Sequence, residues 1–236
     1  MIIIILSAGR GKRLGSKTEK LPKCLVKVKG KPIIDYLENF RKKFRKTIII
    51  TGYKRHLISN KFHKNKSISF SVNKNYEKTN MVYSLFRATK KQIKKNDVVV
   101  CYSDIIFDPQ IFYYFKSIKK TFITINGKWL NLWKKRMPFN KIKNDAEDLI
   151  LDKTKVVSIG KKINNKLPKF QFMGLMKIMN KDFFKLKKFF LKQKKDIDFT
   201  SFLDLAIKHN IIKLSYKKTS NYWYEIDTKN DLNIFK

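Results

Sequence analysis

Ile2-Ile3-Ile4-Ile5-Leu6-Ser7-Ala8-Gly9-Arg10-Gly11-Lys12-Arg13-Leu14-Gly15 is the stretch that decides the fold. Five apolar residues without alternation predict a strand buried on both faces, the kind that lies inside a parallel sheet. The glycines that follow let a chain turn tightly and bring its N–H groups close to an anion. Arg13 and, further on, Lys23 add fixed positive charge. The spacing is neither the dinucleotide fingerprint nor the Walker A pattern, because Lys12 is followed by Arg13 and not by Ser or Thr. By pattern alone, a phosphate cradle and an ordinary strand-to-loop turn stand equal.

Outward from this stretch, short β-branched runs alternate with helical spacing. Pro32 opens a helix in which Ile33, Ile34, Leu37 and Phe40 share a face, ending near Phe44. Strands are expected at Thr47–Thr51, Ile68–Val72 and Val98–Tyr102, with a helix from Met81 to about Lys95 between the last two. A helix at Pro109–Lys119 and a strand at Thr121–Ile125 follow. The middle, roughly 126–169, is less regular. Beyond it, Phe170–Ile178 reads as a strand, Lys181–Lys192 and Phe199–His209 as helices, and Ile211–Tyr216 as a last strand. Strands alternating with helices imply βαβ units: an α/β, doubly wound, mostly parallel Rossmann-like sheet flanked by helices. Ligands of such sheets bind beyond the carboxyl ends of the strands. No linker or repeat interrupts the chain, so residues 1–236 read as a single domain.

The 236 residues carry 55 Lys and Arg against 18 Asp and Glu, a formal charge of +37. Such an excess ordinarily points to nucleic acid or an anionic surface. Here 48 of the basic residues are Lys and only 7 are Arg, alongside 29 Ile, 18 Asn and 4 Ala. That is the signature of A/T-rich codons, and a nucleic-acid reader favours Arg for its bidentate fork. No nucleic-acid partner is expected. Cys24 and Cys101 lie in apolar runs without disulfide or metal-ligand spacing. The Ile2–Leu6 run is too short for a signal-peptide core and no stretch is long enough to span a membrane, so a cytoplasmic protein without membrane insertion is expected. His56, His63 and His209 are isolated from any nucleophile, and neither Ser7 nor Ser103 has a base nearby in sequence. Nothing supports hydrolase chemistry.

The Ser7–Gly15 loop, Leu21-Pro22-Lys23-Cys24-Leu25, Gly30-Lys31-Pro32-Ile33-Ile34, Thr51-Gly52-Tyr53, Thr79-Asn80-Met81-Val82-Tyr83-Ser84-Leu85, Tyr102-Ser103-Asp104 and Glu225-Ile226-Asp227 together resemble the nucleotidyltransferase superfamily, in order over nearly the whole chain. The Asn80–Leu85 element and the terminal Glu-Ile-Asp look like the small-molecule cytidylyltransferases, which act on phosphocholine, 2-aminoethylphosphonate or phosphoglutamine. The segment Lys128-Trp129 through Arg136, with Asp145-Ala146-Glu147, looks most like the phosphoglutamine type.

The resemblance implies transfer of CMP from CTP to a small phosphate or phosphonate acceptor, with pyrophosphate leaving. It serves cell-surface polysaccharide or lipid decoration. Such in-line transfer is carried by positioning and charge neutralisation. By the same resemblance Lys23 and Arg13 are catalytic. Leu6, Ser7, Ala8, Gly9, Arg10, Gly11, Lys23, Gly52, Tyr53, Asn80, Ser84 and Asp104 bind nucleotide. Asp104 and Asp227 hold Mg²⁺, the hard cation two carboxylates and phosphate oxygens suit. Taken singly, Asp104 reads equally as a turn cap, Asp227 as a helix N-terminal charge, and Asn80 as a helix cap. An acceptor-binding subregion is expected at about 126–220. Trp129, Trp133, Trp223, Asp145, Glu147 and Glu225 form either an aromatic and acidic cage for an ammonium or amide headgroup or, for the two tryptophans four apart, plain core packing. The alternative enzyme is a sugar-1-phosphate nucleotidyltransferase using dTTP or UTP, and a basic nucleic-acid binder ranks last. The sequence sets no oligomeric state.

Overall fold

Strand β1 (Ile2–Ser7) is buried along its whole length, as an unbroken apolar run requires. A computed structural model describes residues 1–88, 93, 95–163 and 166–234 of the chain. The strands that follow are β2 (Lys27–Val28), β3 (Lys31–Pro32), β4 (Thr47–Thr51), β5 (Ile68–Val72), β6 (Val98–Tyr102), β7 (Ile105–Phe107) and β8 (Phe122–Asn126). After them come β9 (Glu147–Asp152), β10 (Lys155–Lys162), β11 (Gln171–Ile178), β12 (Ser215–Thr219) and β13 (Trp223–Glu225). The helices are α1 (Glu38–Arg41), α2 (Arg55–Phe62), α3 (Met81–Ala88), α4 (Phe112–Ser117) and α5 (Trp129–Arg136). Four more complete the set: α6 (Phe139–Asp145), α7 (Asn180–Phe190), α8 (Phe199–Lys208) and α9 (Lys229–Ile234).

Nine strands form one sheet in the order β5-β4-β1-β6-β11-β8-β12-β10-β9. Strands β5, β4, β1 and β6 are mutually parallel, as are β8 and β12; β11 and β10 run against their neighbours. Side chains of β1 alternate between two cores. Ile2, Ile4 and Leu6 pack with Val82, Phe86, Phe183 and Phe202 of α3, α7 and α8 on one face. Ile3 and Ile5 pack with Phe40, Phe115, Trp129 and Trp133 of α1, α4 and α5 on the other. Helices on both faces of a mostly parallel sheet are the doubly wound arrangement expected, and truncating any of these isoleucines to Ala costs about 2–5 kcal/mol. Among the described residues no helix is long and apolar enough to cross a membrane.

Several boundaries move. The helix expected from Pro32 is a 3₁₀ segment, Ile33–Leu37, running into α1. The helix expected from Pro109 likewise begins as a 3₁₀ turn capped by Asp108, which accepts from Gln110 N at 2.9 Å. The part of the Met81 helix expected beyond Ala88 lies largely outside the described residues. The strand expected at Ile211–Tyr216 lies instead at Ser215–Thr219. Ile212 and Leu214 are buried in a loop entered through Asn210, whose φ of +54° turns the chain. Their apolarity fills the core beneath the sheet rather than making a ladder. Within the irregular middle, a hairpin of β9 and β10 and the helices α5 and α6 are present.

Candidate active site

The carboxyl ends of β1 and β6 open onto one cleft of about 350 Å³, walled by the loop from Leu6 to Arg13, Lys23, the start of α3, Asp104 and Asp227. The loop is held open by backbone geometry. Gly11 sits at φ +76°, and a Cβ there would lie 2.7 Å from Lys23 Cβ, so any larger residue would displace the lysine stem. Thr18 Oγ1 donates to the Gly11 and Gly15 carbonyls at 3.1 Å each, closing the loop from behind.

Within this cleft Lys23 Nζ donates to Asp104 Oδ2 and to Asp227 Oδ1, both at 2.6 Å. Arg13 Nη1 lies 2.6 Å from Asp227 Oδ2 and 3.8 Å from Asp145. Burial alone would push the Lys23 ammonium toward the neutral form, but the two carboxylates outweigh it and raise its pKa. Lys23 is therefore a cation at every physiological pH.

Three elements aim the two carboxylates. Asp104 follows β6 in the turn to β7, and its carbonyl accepts from Ile226 N at 2.8 Å, tying that turn to the β13 end. Asp227 does not serve the N-terminus of α9. That place is taken by Asp231, whose Oδ2 accepts from Asp227 N at 2.8 Å and Thr228 N at 2.6 Å. Asp231 is itself gripped by Arg136 from α5, through Nε at 2.6 Å and Nη2 at 3.1 Å. Arg136 Nη1 also reaches Glu225 at 3.3 Å. The side chain of Asp227 is thus left free to face Lys23 and Arg13. Asp108, not Asp104, is the cap of the Pro109 turn. Asp104 Oδ1 is buried with no partner, an acceptor without a donor at the edge of the cleft.

A second cleft of about 260 Å³ continues from the first across Arg13, Met81 and Asp227. Trp133, Trp223, Asp145, Glu147 and Glu225 line it, as expected, and so do Tyr102, Gln171, Asp198 and Thr200. Five of the chain's 18 acidic residues face this space (Asp145, Glu147, Asp198, Glu225 and Asp227), yet among the described residues no lysine does. Burial, then the charge of Asp104, raises the Glu225 carboxyl to about 7, with Arg136 opposing. Burial likewise raises Glu147, while its bond from Thr200 Oγ1 at 2.9 Å opposes that. Gly174, at φ +74°, lets β11 pass under Tyr102, whose ring would lie 2.8 Å from a Cβ there.

The structure does not bring every expected residue to the clefts. Trp129 is buried, edge-on to Trp133 at 5.3 Å, and gives its Nε1–H to the Pro168 carbonyl at 3.2 Å. It is core, because α5 turns that side of the helix to the sheet. Arg10, Gly52 and Tyr53 stand behind the glycine loop rather than on its cleft side. Tyr53 N donates to the Ala8 carbonyl at 2.9 Å, its hydroxyl to the Glu19 carbonyl at 2.6 Å, and Arg10 lies over its ring. A Cβ on Gly52 would meet the Ala8 carbonyl at 2.6 Å, so these residues buttress the loop. Asn80 and Ser84 line the nucleotide-sized cleft, and Asn80 also bonds Met81 N at 2.8 Å. The sequence reading missed Tyr76, Thr79 and Ser103 in the first cleft. It also missed Tyr102, Gln171, Asp198 and Thr200 in the second. Tyr102 had a signal as the residue that ends an apolar strand next to Asp104.

Two contiguous clefts at strand carboxyl ends, one edged by a glycine loop with paired cations and carboxylates, define a phosphate-handling α/β enzyme. Residues 3–118 match the MobA-like NTP transferase domain. The chain is 31% identical to the CTP:phosphoglutamine cytidylyltransferase of Campylobacter jejuni subsp. jejuni serotype O:2, over 99% of this chain and 98% of that protein. It is 27% identical to the bifunctional protein GlmU of Methanococcus aeolicus, over 98% of this chain and 53% of that one. The inositol-1-phosphate CTP transferase from T. maritima shares the fold, with a TM-score of 0.80 at 18% identity over 99% of this chain and 94% of that one. The chain belongs to the nucleotidyltransferase family.

Proposed function

We propose that the protein is a Mg²⁺-dependent cytidylyltransferase that moves CMP from CTP to a small phosphate or phosphonate bearing an ammonium group, releasing pyrophosphate. The observation that carries the acceptor half is the second cleft, where five carboxylates gather beside Arg13 and, among the described residues, no lysine enters in a chain of +37. A neutral sugar or inositol headgroup has no use for that field, whereas an ammonium does. The CTP half rests on the likeness to the C. jejuni enzyme.

The residues divide the work as follows. The Gly9–Arg13 loop and Lys23 receive the triphosphate, and Arg13, shared by both clefts, stands where the acceptor's phosphoryl oxygen meets the α-phosphorus. Lys23, a compact point charge, neutralises the charge that grows on the α-phosphoryl oxygens during in-line attack. Glu147, Asp198 and Glu225 hold the ammonium end, and Trp133 and Trp223 wall it. Asp104 and Asp227 fit a hard cation: they face one point from two elements, and Asp104 Oδ1 has no other partner. Two carboxylates would leave the rest of such a cation's coordination to phosphate and water oxygens. Bound there, Mg²⁺ would draw charge from the phosphate oxygens. A reaction that consumes CTP supports a cytoplasmic location, upstream of surface decoration.

An acceptor panel tests the reading. With CTP and Mg²⁺, phosphoglutamine, phosphocholine and 2-aminoethylphosphonate are compared with glucose-1-phosphate and inositol-1-phosphate. Turnover confined to one or more of the ammonium-bearing acceptors is expected. Preference for glucose-1-phosphate, with dTTP or UTP, would replace it by the sugar-nucleotide reading.

A further inference from the structure

The carboxylate pair that suits a cation already has one. Lys23 Nζ stands 2.6 Å from an oxygen of each carboxylate, and Arg13 covers the second oxygen of Asp227 at 2.6 Å. Three of the four carboxylate oxygens are therefore taken by basic side chains, and only Asp104 Oδ1 is open. The charges close: two anions meet one ammonium and one guanidinium. A divalent cation added to that arrangement would put two uncompensated positive charges against Lys23, whose side chain is only 11% exposed. The stem of Lys23 runs so close to Gly11 that a Cβ there would lie 2.7–2.9 Å from its Cβ, Cγ and Cδ. What can move is the end of the side chain, and the glycine loop that receives phosphates lines the same cleft.

We propose that, without nucleotide, Lys23 is the counter-ion of the Asp104–Asp227 pair, that its ammonium and the divalent cation compete for one position, and that the triphosphate releases the pair by taking Lys23 onto its own oxygens. This inference rests on the metal assignment made under Proposed function. Metal capture then waits for nucleotide, and the lysine that serves the reaction also keeps the empty site neutral and paired. Reciprocity requires that the metal favour nucleotide binding to the same extent.

Mn²⁺ binding to the nucleotide-free protein, read by electron paramagnetic resonance, tests this with no turnover involved. Wild-type protein is expected to bind Mn²⁺ weakly, and Lys23→Ala to bind it at least about tenfold more tightly. The gain should vanish in Lys23→Ala/Asp104→Asn. Lys12→Ala serves as a control for the general field of the cleft, because Lys12 lines it while the ion pairs of the two carboxylates go to Lys23 and Arg13; its gain should stay within about twofold. Lys23→Met keeps the apolar stem should Lys23→Ala fold poorly, and Mn²⁺ should raise the melting temperature of either variant more than that of wild type. Equal Mn²⁺ affinity in wild type and both Lys23 variants, or an equal gain in Lys12→Ala, overturns the exchange. Pyrophosphate release by wild type, measured in parallel, separates the two readings: Mg²⁺-dependent release without any gain in the Lys23 variants removes the exchange and leaves the functional proposal standing.

Discussion

At the scale of single residues the site is an argument about sign. In a chain of such positive charge the acidic side chains are the scarce ones, and six of the 18 line the two clefts. Glu147 illustrates the consequence. Burial raises its pKa above the ordinary 4.5, so on acidification it takes up a proton, and loses the charge that would hold an ammonium, at a higher pH than an exposed glutamate would. The KM for the acceptor is therefore expected to rise as pH falls through the mildly acidic range, with that for CTP much less affected. Glu147→Gln should show a high, flat acceptor KM over the same range. A pH profile unchanged by that substitution would take Glu147 out of acceptor binding and leave the acceptor phosphate's own titration as the cause.

At the scale of elements, the position of Asp227 is set from a distance. Helix α5 holds Arg136, Arg136 holds Asp231, and Asp231 accepts the Asp227 backbone N–H that begins the turn into α9. The Arg136–Asp231 pair is buried, so breaking one side leaves an unpaired charge, a loss of about 3–5 kcal/mol. Asp231→Asn is expected to lower the urea midpoint and also kcat, the second effect persisting at urea concentrations where the variant is fully folded. A stability loss with normal kcat would make the pair purely structural. This coupling was not legible in the sequence, since Arg136, Asp227 and Asp231 are far apart or unremarkable by spacing. The same is true of the second cleft: Thr200 meets Glu147 only because the start of α8 is laid against the β9–β10 hairpin. By contrast Ile2–Leu6 could be read directly, because a strand buried on both faces writes its environment into every residue. The Ile211–Tyr216 misplacement has the opposite cause: Ile212 and Leu214 are buried in a loop, and burial without a ladder looks the same in sequence. Trp129 and Trp133, four apart, pack in the same core, but only Trp133 also reaches the cleft wall, a difference that periodicity does not carry.

At the scale of the whole molecule, a charge of +37 surrounds two neighbouring clefts of contrasting character. On the proposed function, the broad positive charge would draw in a triphosphate, and the acidic cleft would invert it locally for the acceptor's ammonium. Raising salt from low to physiological ionic strength should accordingly raise the KM for CTP severalfold, through screening at distances beyond about 8 Å. The KM for an ammonium-bearing acceptor should change less, or in the opposite sense. Equal salt dependence for both substrates would show that the lysine excess plays no part in substrate capture.

The central claim is nucleotidyl transfer at the point where Lys23, Arg13, Asp104 and Asp227 meet. Its most direct measurement is pyrophosphate release from CTP with Mg²⁺ and an ammonium-bearing acceptor, wild type beside Lys23→Ala, with the product identified by mass. Stoichiometric pyrophosphate and a CMP-linked headgroup in wild type are expected, with a loss of about 10²–10³ in kcat for Lys23→Ala. Turnover unchanged by that substitution, or no CMP-linked product with any acceptor while pyrophosphate accumulates, would contradict it.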